Sequence, residues 1–217
     1  MRCENIISIL EFAGSDLSHA RAAWASTNQE LTSDKMGRIP QLLKFLATHE
    51  HGTPFEHSML SFHVQADIAS HIHCLKHRTG VSINTESARY KEMRDDLYYL
   101  PEDWPKSWEN QTIESLEEQH NHYHAFIQLM VDKGTNRSRA KEIARYVLPY
   151  AHQLRWVMTF NFRSFMHFQK LRNSSHAQVE IKNIANKMLE LTISDGRFNH
   201  SLEAHGWDSN CMVKKSE

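Results

Sequence analysis

A basic and polar segment begins at Lys76 and contains side chains that could hold an anion. Lys76, His77, Arg78 and Arg89 supply actual or potential positive charge, and the serines, threonines and asparagine between them supply hydroxyl and amide groups. A guanidinium matches a phosphate group because its N–H groups can form two parallel hydrogen bonds. Gly80 can adopt the positive φ that a tight turn needs. By composition alone, the segment is either a phosphate site or a solvated connection.

The order of residues in this segment resembles the signature of the flavin-dependent thymidylate synthases, Arg-His-Arg-x-x-Ser-x-Asn-Glu-x-Ser-x-Arg. The matching parts are, in order, His77-Arg78, Ser82-x-Asn84 and Ser87-x-Arg89-Tyr90. The segment departs from the signature in three ways. Lys76 replaces the first arginine, and one extra residue lies between Arg78 and Ser82. Thr85 stands where the glutamate normally is, and Glu86 follows it.

Three further motifs are similar to those of the same family and occur in the family's order. They are His51-x-Thr53-Pro54-Phe55-Glu56-His57, then Ala144-Arg145-x-x-Leu148-Pro149, and finally Asn161-x-Arg163 with Phe168, Leu171-Arg172 and Ala177-Gln178-x-Glu180-Ile181. Any one of them could arise by chance. Because all four motifs keep the family's order over residues 51–181, the chain is identified as a member of this family.

The resemblance implies a role for each matching residue. Arg172 and His51 would be the catalytic residues. Arg172 would stabilise negative charge on the uracil ring, and His51 would lie near the flavin ring and the folate. The implied dUMP-binding residues are His73, Lys76, Thr85, Glu86, Ser87, Ala88, Arg89, Arg145 and Arg172. The implied FAD-binding residues are Thr53, Lys76, His77, Arg78, Asn84, Thr85, Asn161, Arg163 and His167. His73 stands in place of the family's glutamine, and His167 stands in place of an asparagine.

The resemblance also implies the reaction and its co-substrates. FAD would be the cofactor, and NADPH and 5,10-methylenetetrahydrofolate would be co-substrates in the reductive methylation of dUMP to dTMP. The enzyme would be a homotetramer with active sites shared between subunits, so the apolar stripe of the long helix could be partly interface. Because His73 and the segment after Lys76 depart from the family pattern, transfer of a one-carbon unit to another pyrimidine nucleotide stays an alternative, either as a hydroxymethyl group or onto dCMP.

Composition limits the other classes of function. The net charge of −1 provides no global field for nucleic acid or an anionic membrane. The three cysteines are odd in number and widely spaced, which argues against a disulfide framework and favours a reducing compartment. The first residues lack the apolar run of a signal peptide, since Glu4 and Asn5 interrupt it. We therefore expect a cytoplasmic protein without nucleic-acid or membrane partners.

Hydrophobic periodicity predicts an α/β (α+β) fold, in which helices flank a mixed sheet that contains antiparallel strands. One domain is expected over residues 1–217, with a loosely ordered tail over residues 196–217. Strands are predicted at 6–12, 60–65, 87–93 and 154–160. Helices are predicted at 16–26, 40–48, 68–75, 107–134, 138–147, 161–172 and 176–191.

Two other classes of protein compete with the enzyme. The sixteen histidines include His120 and His124, an i, i+4 pair that could bind zinc. However, the sequence has no cysteine pair and no His-Glu-x-x-His motif, so we expect no metal site. A nucleic-acid-binding module is suggested by the basic stretch Arg137, Arg139, Lys141 and Arg145, but no recognised binding motif accompanies it.

Overall fold

The computed structural model of the chain describes residues 1–27 and 32–207. The strands are β1 (Ile6–Ala13), β2 (Met59–Asp67), β3 (Val81–Thr85) and β4 (Gln153–Phe160). The helices are α1 (Asp16–Ala25), α2 (Ser33–Met36), α3 (Ile39–Thr48), α4 (Ile68–Cys74), α5 (Lys106–Asp132), α6 (Arg137–Ala144), α7 (Phe162–Arg172), α8 (Val179–Asp195) and α9 (Asn199–Ala204). Short 3-10 helices cover Thr53–Glu56 and Arg145–Val147.

The four strands form one sheet in the order β1-β2-β4-β3. Strands β3 and β4 are antiparallel, because Glu86 N bonds Arg155 O and Asn161 N bonds Gly80 O, so that one residue number rises as the other falls. Alternate residues of β2 and β4 are buried, as the period of two predicts; they are Leu60, Phe62 and Val64, and Trp156, Met158 and Phe160. The predicted fold class is confirmed.

One predicted strand is wrong, and another was missed. Residues 87–93 form a turn, in which Ser87 O accepts hydrogen bonds from Tyr90 N and Lys91 N at 3.0 and 3.1 Å. The strand lies just before them, at β3. Its signal was present in the sequence, because Val81, Ile83 and Thr85 are β-branched residues at alternate positions.

The chain packs as two compact units, each assembled from segments that are far apart in sequence. Unit 1 comprises Met1–Ile6, Val64–Lys76 and Asn84–Trp156. Unit 2 comprises Ile7–His63, His77–Ile83 and the described chain from Val157 onward. The expectation of one domain over residues 1–217 stays a prediction.

The interior of unit 1 is built around α5. Leu116, Tyr123 and Ile127 are buried on one side of this helix, as its three- and four-residue spacing predicts. Ala140 and Ala144 of α6 are also fully buried in the same cluster as Tyr123, and their small side chains let α6 approach α5 closely. The buried part of the stripe is therefore core within this unit.

In unit 2, part of the predicted loose tail is ordered. Residues 199–204 form α9, and the neighbouring Phe198 and Leu202 are buried. The Asp16 carboxylate accepts hydrogen bonds from His200 N and Ser201 N, both at 2.9 Å, and so satisfies donors in the first turn of α9. This carboxylate lies more than 180 residues earlier in the chain, so the local sequence of the tail could not reveal it. Residues 208–217 of the predicted tail lie outside the described residues.

Candidate active site

Unit 1 contains a cavity of ≈ 340 Å³ that collects five of the predicted dUMP-binding residues. Those five are Thr85, Glu86, Ser87, Ala88 and Arg145. The remaining walls are mostly apolar, and they consist of Ile68, His71, Met93, Tyr146, Leu148 and Leu154. A pocket with apolar walls and a few convergent polar groups is the usual form of a small-molecule site. The structure thus brings together residues from β3, the following turn and the end of α6.

Arg145 supplies the permanent positive charge of this cavity. It begins the 3-10 helix directly after α6, and the buried Ala140 and Ala144 fix α6 against α5. Its guanidinium carbon lies 5.7 Å from the centre of the Tyr146 ring, a cation–π contact that orients the side chain. The cavity is therefore suited to an anionic group such as a phosphate.

The basic face of α6 is engaged in contacts with the turn that follows β3. Arg137 pairs with Glu92 at 2.6 Å, and Lys141 Nζ donates to Tyr90 O at 2.7 Å. Glu142 accepts from Arg89 Nε at 2.9 Å and also pairs with Arg139. These contacts fix the turn that carries Ser87 and Ala88. The stretch that suggested a nucleic-acid-binding module therefore has partners within the chain.

His71 was not predicted, yet it contacts the centre of this cavity. Its Nε2 lies 2.7 Å from Thr85 Oγ1 and its ring lies edge-on to Trp156, with the ring centres 4.8 Å apart. Burial lowers the pKa of His71, so the ring is held in its neutral form. Asp67 caps α4 by accepting from Ser70 N at 2.8 Å and so sets the direction of the helix that presents His71. The only sequence signal was that His71 lies two positions before the predicted site residue His73.

Unit 2 contains a larger cavity, of ≈ 1040 Å³, which collects His51, Arg163 and His167 from the predicted set. Gly52 also lines this cavity. Arg163 lies directly against the Gly52 backbone, so a Cβ at Gly52 would be 2.6 Å from Arg163 Nε. Arg163 is held from its other end by Glu56 at 2.6 Å. Further lining residues that sequence reasoning missed include Phe55, Lys170, His205 and Trp207.

Arg172, the predicted catalytic residue, is bonded to His77. Its Nε donates to His77 Nε2 at 2.9 Å. His77 is buried, and burial, together with the positive charge of Arg172 and then His167, lowers the pKa of His77 to about 4. At neutral pH His77 is therefore an uncharged acceptor. The structure joins these two predicted residues, one assigned to FAD and the other to the reaction.

Asn161 has a structural contact as the N-cap of α7. Its Oδ1 accepts from Ser164 N at 2.8 Å, and its backbone N donates to Gly80 O at 3.1 Å. Gly80 has a φ of +63° and lies so close to this helix start that a Cβ would meet Ser164 Oγ and Asn161 Nδ2. Only glycine combines that backbone angle with that close approach.

Several predicted site residues do not line either cavity. Lys76, Arg78 and Asn84 have exposed side chains, Thr53 is exposed at the start of a 3-10 helix, and His73 is half-buried on α4. Arg89 is exposed and bonded to Glu142. Lys76 and Arg78 make no ion pair with any side chain in the described part of the chain. The roles of all these residues stay predictions.

The histidines that suggested zinc contact other groups. His120 Nε2 lies 2.9 Å from His152 Nδ1 in the interior, whereas His124 lies between Glu92 at 3.2 Å and Asp96 at 2.9 Å. Among residues 1–27 and 32–207, no three side chains of the metal-binding types form a metal-sized cluster. In the same residues, no helix is long and apolar enough to cross a bilayer.

The cavity of unit 2 fits a flavin nucleotide by its size and by the chemistry of its lining. Arg163 and Lys170 provide cationic donors for a pyrophosphate, and His51 and His167 provide ring nitrogens. Phe55 and Trp207 provide aromatic surface on which a planar ring system can pack. The space of ≈ 1040 Å³ accommodates a ligand of that size.

The chain is similar to known proteins over most of its length. Residues 8–194 match a family model described as "Thymidylate synthase complementing protein". Two relatives described as "Flavin-dependent thymidylate synthase" are similar over most of their length. The one from Thermotoga neapolitana is 33% identical over 185 residues, 84% of this chain and 82% of the relative. The one from Thermosipho melanesiensis is 31% identical over 207 residues, 87% and 85% respectively.

Solved structures are similar as well. A crystal structure described as the UMP/dUMP methylase PolB from Streptomyces cacaoi, bound with 5-Br dUMP, superimposes with a TM-score of 0.75 at 29% identity. The similarity covers 94% of this chain and 95% of that one. A second structure of the same methylase, bound with 5-Br UMP, gives a TM-score of 0.74 at 28% identity.

Proposed function

Because this chain belongs to the flavin-dependent thymidylate synthase family, we propose that it converts dUMP to dTMP with FAD, NADPH and 5,10-methylenetetrahydrofolate. Membership makes it a flavin-dependent enzyme of the methyltransferase type. The identity of the flavin as FAD, the two co-substrates and the nucleotide are the proposed parts.

The cavity in unit 1 is the observation that carries this proposal. It combines the positive charge of Arg145 with the hydroxyl of Ser87 and an apolar wall. This combination suits a nucleotide monophosphate, whose phosphate takes charge-assisted hydrogen bonds while its base packs on apolar surface. Ser87 and Arg145 would hold the phosphate. The Glu86 carboxylate accepts from Arg155 N at 2.8 Å and pairs with Lys91, and Glu86 N donates to Arg155 O at 2.9 Å. We therefore assign only the backbone carbonyl of Glu86 to the substrate.

Arg172 would activate the pyrimidine. Carbon C5 of uracil is a poor nucleophile until negative charge builds up on N3 and the adjacent oxygen. A guanidinium beside these atoms stabilises that charge as it develops. This mechanism requires no cysteine nucleophile, and Cys74 on α4 is fully buried. When bound, a flavin would supply the redox chemistry and carry the one-carbon unit, and this chain's side chains would bind and polarise the nucleotide.

Nucleotides other than dUMP are alternative substrates. The similar solved structures are described as a UMP/dUMP methylase and were obtained with analogues of both nucleotides. His73, where the family has glutamine, is a reason to test the base as well as the sugar. UMP, or dCMP, therefore stands as the alternative substrate.

One assay tests the nucleotide and the chemistry together. The purified protein is incubated with FAD, NADPH, 5,10-methylenetetrahydrofolate and either dUMP, UMP or dCMP, and the product is identified by mass. We expect dTMP from dUMP. If the product is a hydroxymethylated nucleotide, or if only UMP or dCMP gives a product, the alternative reaction is supported and the proposed one is wrong. No product from any nucleotide would refute it.

Variants connect this reaction to the two arginines. Arg172→Ala should abolish turnover while flavin stays bound, and full activity would remove Arg172 from its catalytic role. Arg145→Gln should raise the dissociation constant for dUMP about 10- to 100-fold, the effect of losing a charged hydrogen bond of about 1.5–3 kcal/mol. Arg21→Ala, which removes an exposed arginine of α1, is the control and should change neither quantity.

We also propose a cytoplasmic homotetramer whose active sites take residues from more than one subunit. The exposed cations Lys76 and Arg78, which lack ion-pair partners in the described part of their own chain, are consistent with use in a shared site. Light scattering coupled to gel filtration measures the mass of the assembly, and a monomer with full activity would contradict the shared site.

A further inference from the structure

The hydrogen bond between His77 and Arg172 defines the state of both side chains. An arginine guanidinium has only donors and keeps its charge, so His77 Nε2 must offer its lone pair across the 2.9 Å contact. The ring proton is then on Nδ1. The ring is uncharged at neutral pH, because burial and the nearby positive charge lower the His77 pKa to about 4. The Arg172 donor then selects this one tautomer of the neutral ring.

The His77 ring is held in place by α7 itself. Its centre lies 4.9 Å from that of Phe168, and the two planes are nearly perpendicular at 71°. Phe168 is fully buried and lies one helical turn before Arg172. The ring of His77 therefore rests on the same helix face that presents Arg172, and its position is set by packing.

The backbone after His77 is fixed to the other end of α7. Asn161 N donates to Gly80 O at 3.1 Å, and Ser164 Oγ donates to Thr79 O at 2.7 Å. The segment from His77 to Gly80 is thus bonded at the first turn of α7 through its backbone and at the last turn through its imidazole. Such a segment cannot shift without breaking contacts at one end.

From these contacts we infer that His77 is a positioning residue, which holds the Arg172 guanidinium in the orientation that acts on the uracil ring. The inference rests on the proposed function of Arg172. An unrestrained arginine samples many rotamers, and ordering it costs conformational free energy at each turnover. The Nε bond uses one of five N–H donors and fixes the plane of the group.

A pair of substitutions separates the hydrogen bond from the shape of the ring. His77→Phe keeps an aromatic ring against Phe168 but removes the acceptor, whereas His77→Gln places an oxygen near the position of Nε2. We expect His77→Phe to lower kcat, measured per bound flavin, about 100-fold, the effect of a small misplacement of a catalytic group. His77→Gln should recover most of this loss. If His77→Phe does not fold, His77→Asn replaces it, because its oxygen lies near Nδ1 instead.

A double-mutant cycle on dUMP binding decides whether His77 acts through Arg172. The dissociation constant is measured for flavin-loaded wild type, His77→Phe, Arg172→Ala and the double variant. His77→Phe should weaken dUMP binding about 10-fold in the wild-type background and less than about 2-fold when Arg172 is absent. Equal effects in both backgrounds, or loss of flavin in His77→Phe, would overturn the inference and leave the proposed function standing. A wild-type protein that neither binds nor methylates dUMP would refute both.

Discussion

Three fully or nearly buried histidines predict that mild acid destabilises this protein. His19, His77 and His152 have exposed fractions of 0%, 8% and 2%. Burial is the main cause that lowers the pKa of His19 to about 3, and those of His77 and His152 to about 4, from an ordinary value of 6.5. His19 also has both ring nitrogens bonded at 2.8 Å, to Ser201 and Ser58.

The direction of the effect follows from proton binding. Below pH 6.5 the unfolded chain binds a proton at each of these histidines, whereas the folded protein does not until pH approaches 4. The free energy of unfolding therefore falls as pH falls, by about 1.4 kcal/mol per pH unit for each histidine. Between pH 7.5 and 5.5 the three together cost about 4 kcal/mol. The carboxyl groups with lowered pKa, such as Glu92 and Glu142, contribute the same sign only at lower pH, near their ordinary value of 4.5.

Urea unfolding at pH 7.5 and 5.5, at one protein concentration, measures this difference directly. His19→Gln should reduce the loss by about 1.4 kcal/mol, because one proton-binding group is gone. His63→Gln removes an exposed histidine of β2 and should leave the loss unchanged. A free energy of unfolding that is the same at both pH values would refute this reasoning. Such a result would mean that the three rings are already protonated in the folded protein at pH 5.5.

At two glycines, the atoms that an added Cβ would meet predict the effect of substitution by alanine. Gly52→Ala should displace Arg163 and lower the flavin content of the purified protein by absorbance, because the new Cβ would lie 2.6 Å from Nε; Gly37→Ala, with nothing within 4 Å, is its control and should retain flavin. Gly80→Ala should lower the melting temperature clearly more than Gly134→Ala does. Both positions have positive φ, +63° and +87°, but only at Gly80 does a Cβ also meet the start of α7, so equal shifts would show that the close approach does not matter.

The sequence alone determined the features that depend on local order. Alternation identified β2 and β4, since each residue faces the opposite side from its neighbour. Four motifs in family order identified the chemistry. The predicted strand at 87–93 failed because hydrogen bonds of Ser87 close a turn there.

Tertiary structure decided which predicted residues share a cavity and what protonation state each holds. Thr85 and Arg145 line one cavity although they are 60 positions apart in the sequence. The packing of α6 on α5 and the contacts of α6 with the turn after β3 bring them together. Nothing in the sequence distinguishes the protonation state of His71 or His77 from that of the other histidines. Burial lowers the pKa of both side chains, and the positive charge of Arg172 lowers that of His77 further. The pKa of a side chain depends on its solvation and on neighbouring charges, which sequence order does not contain.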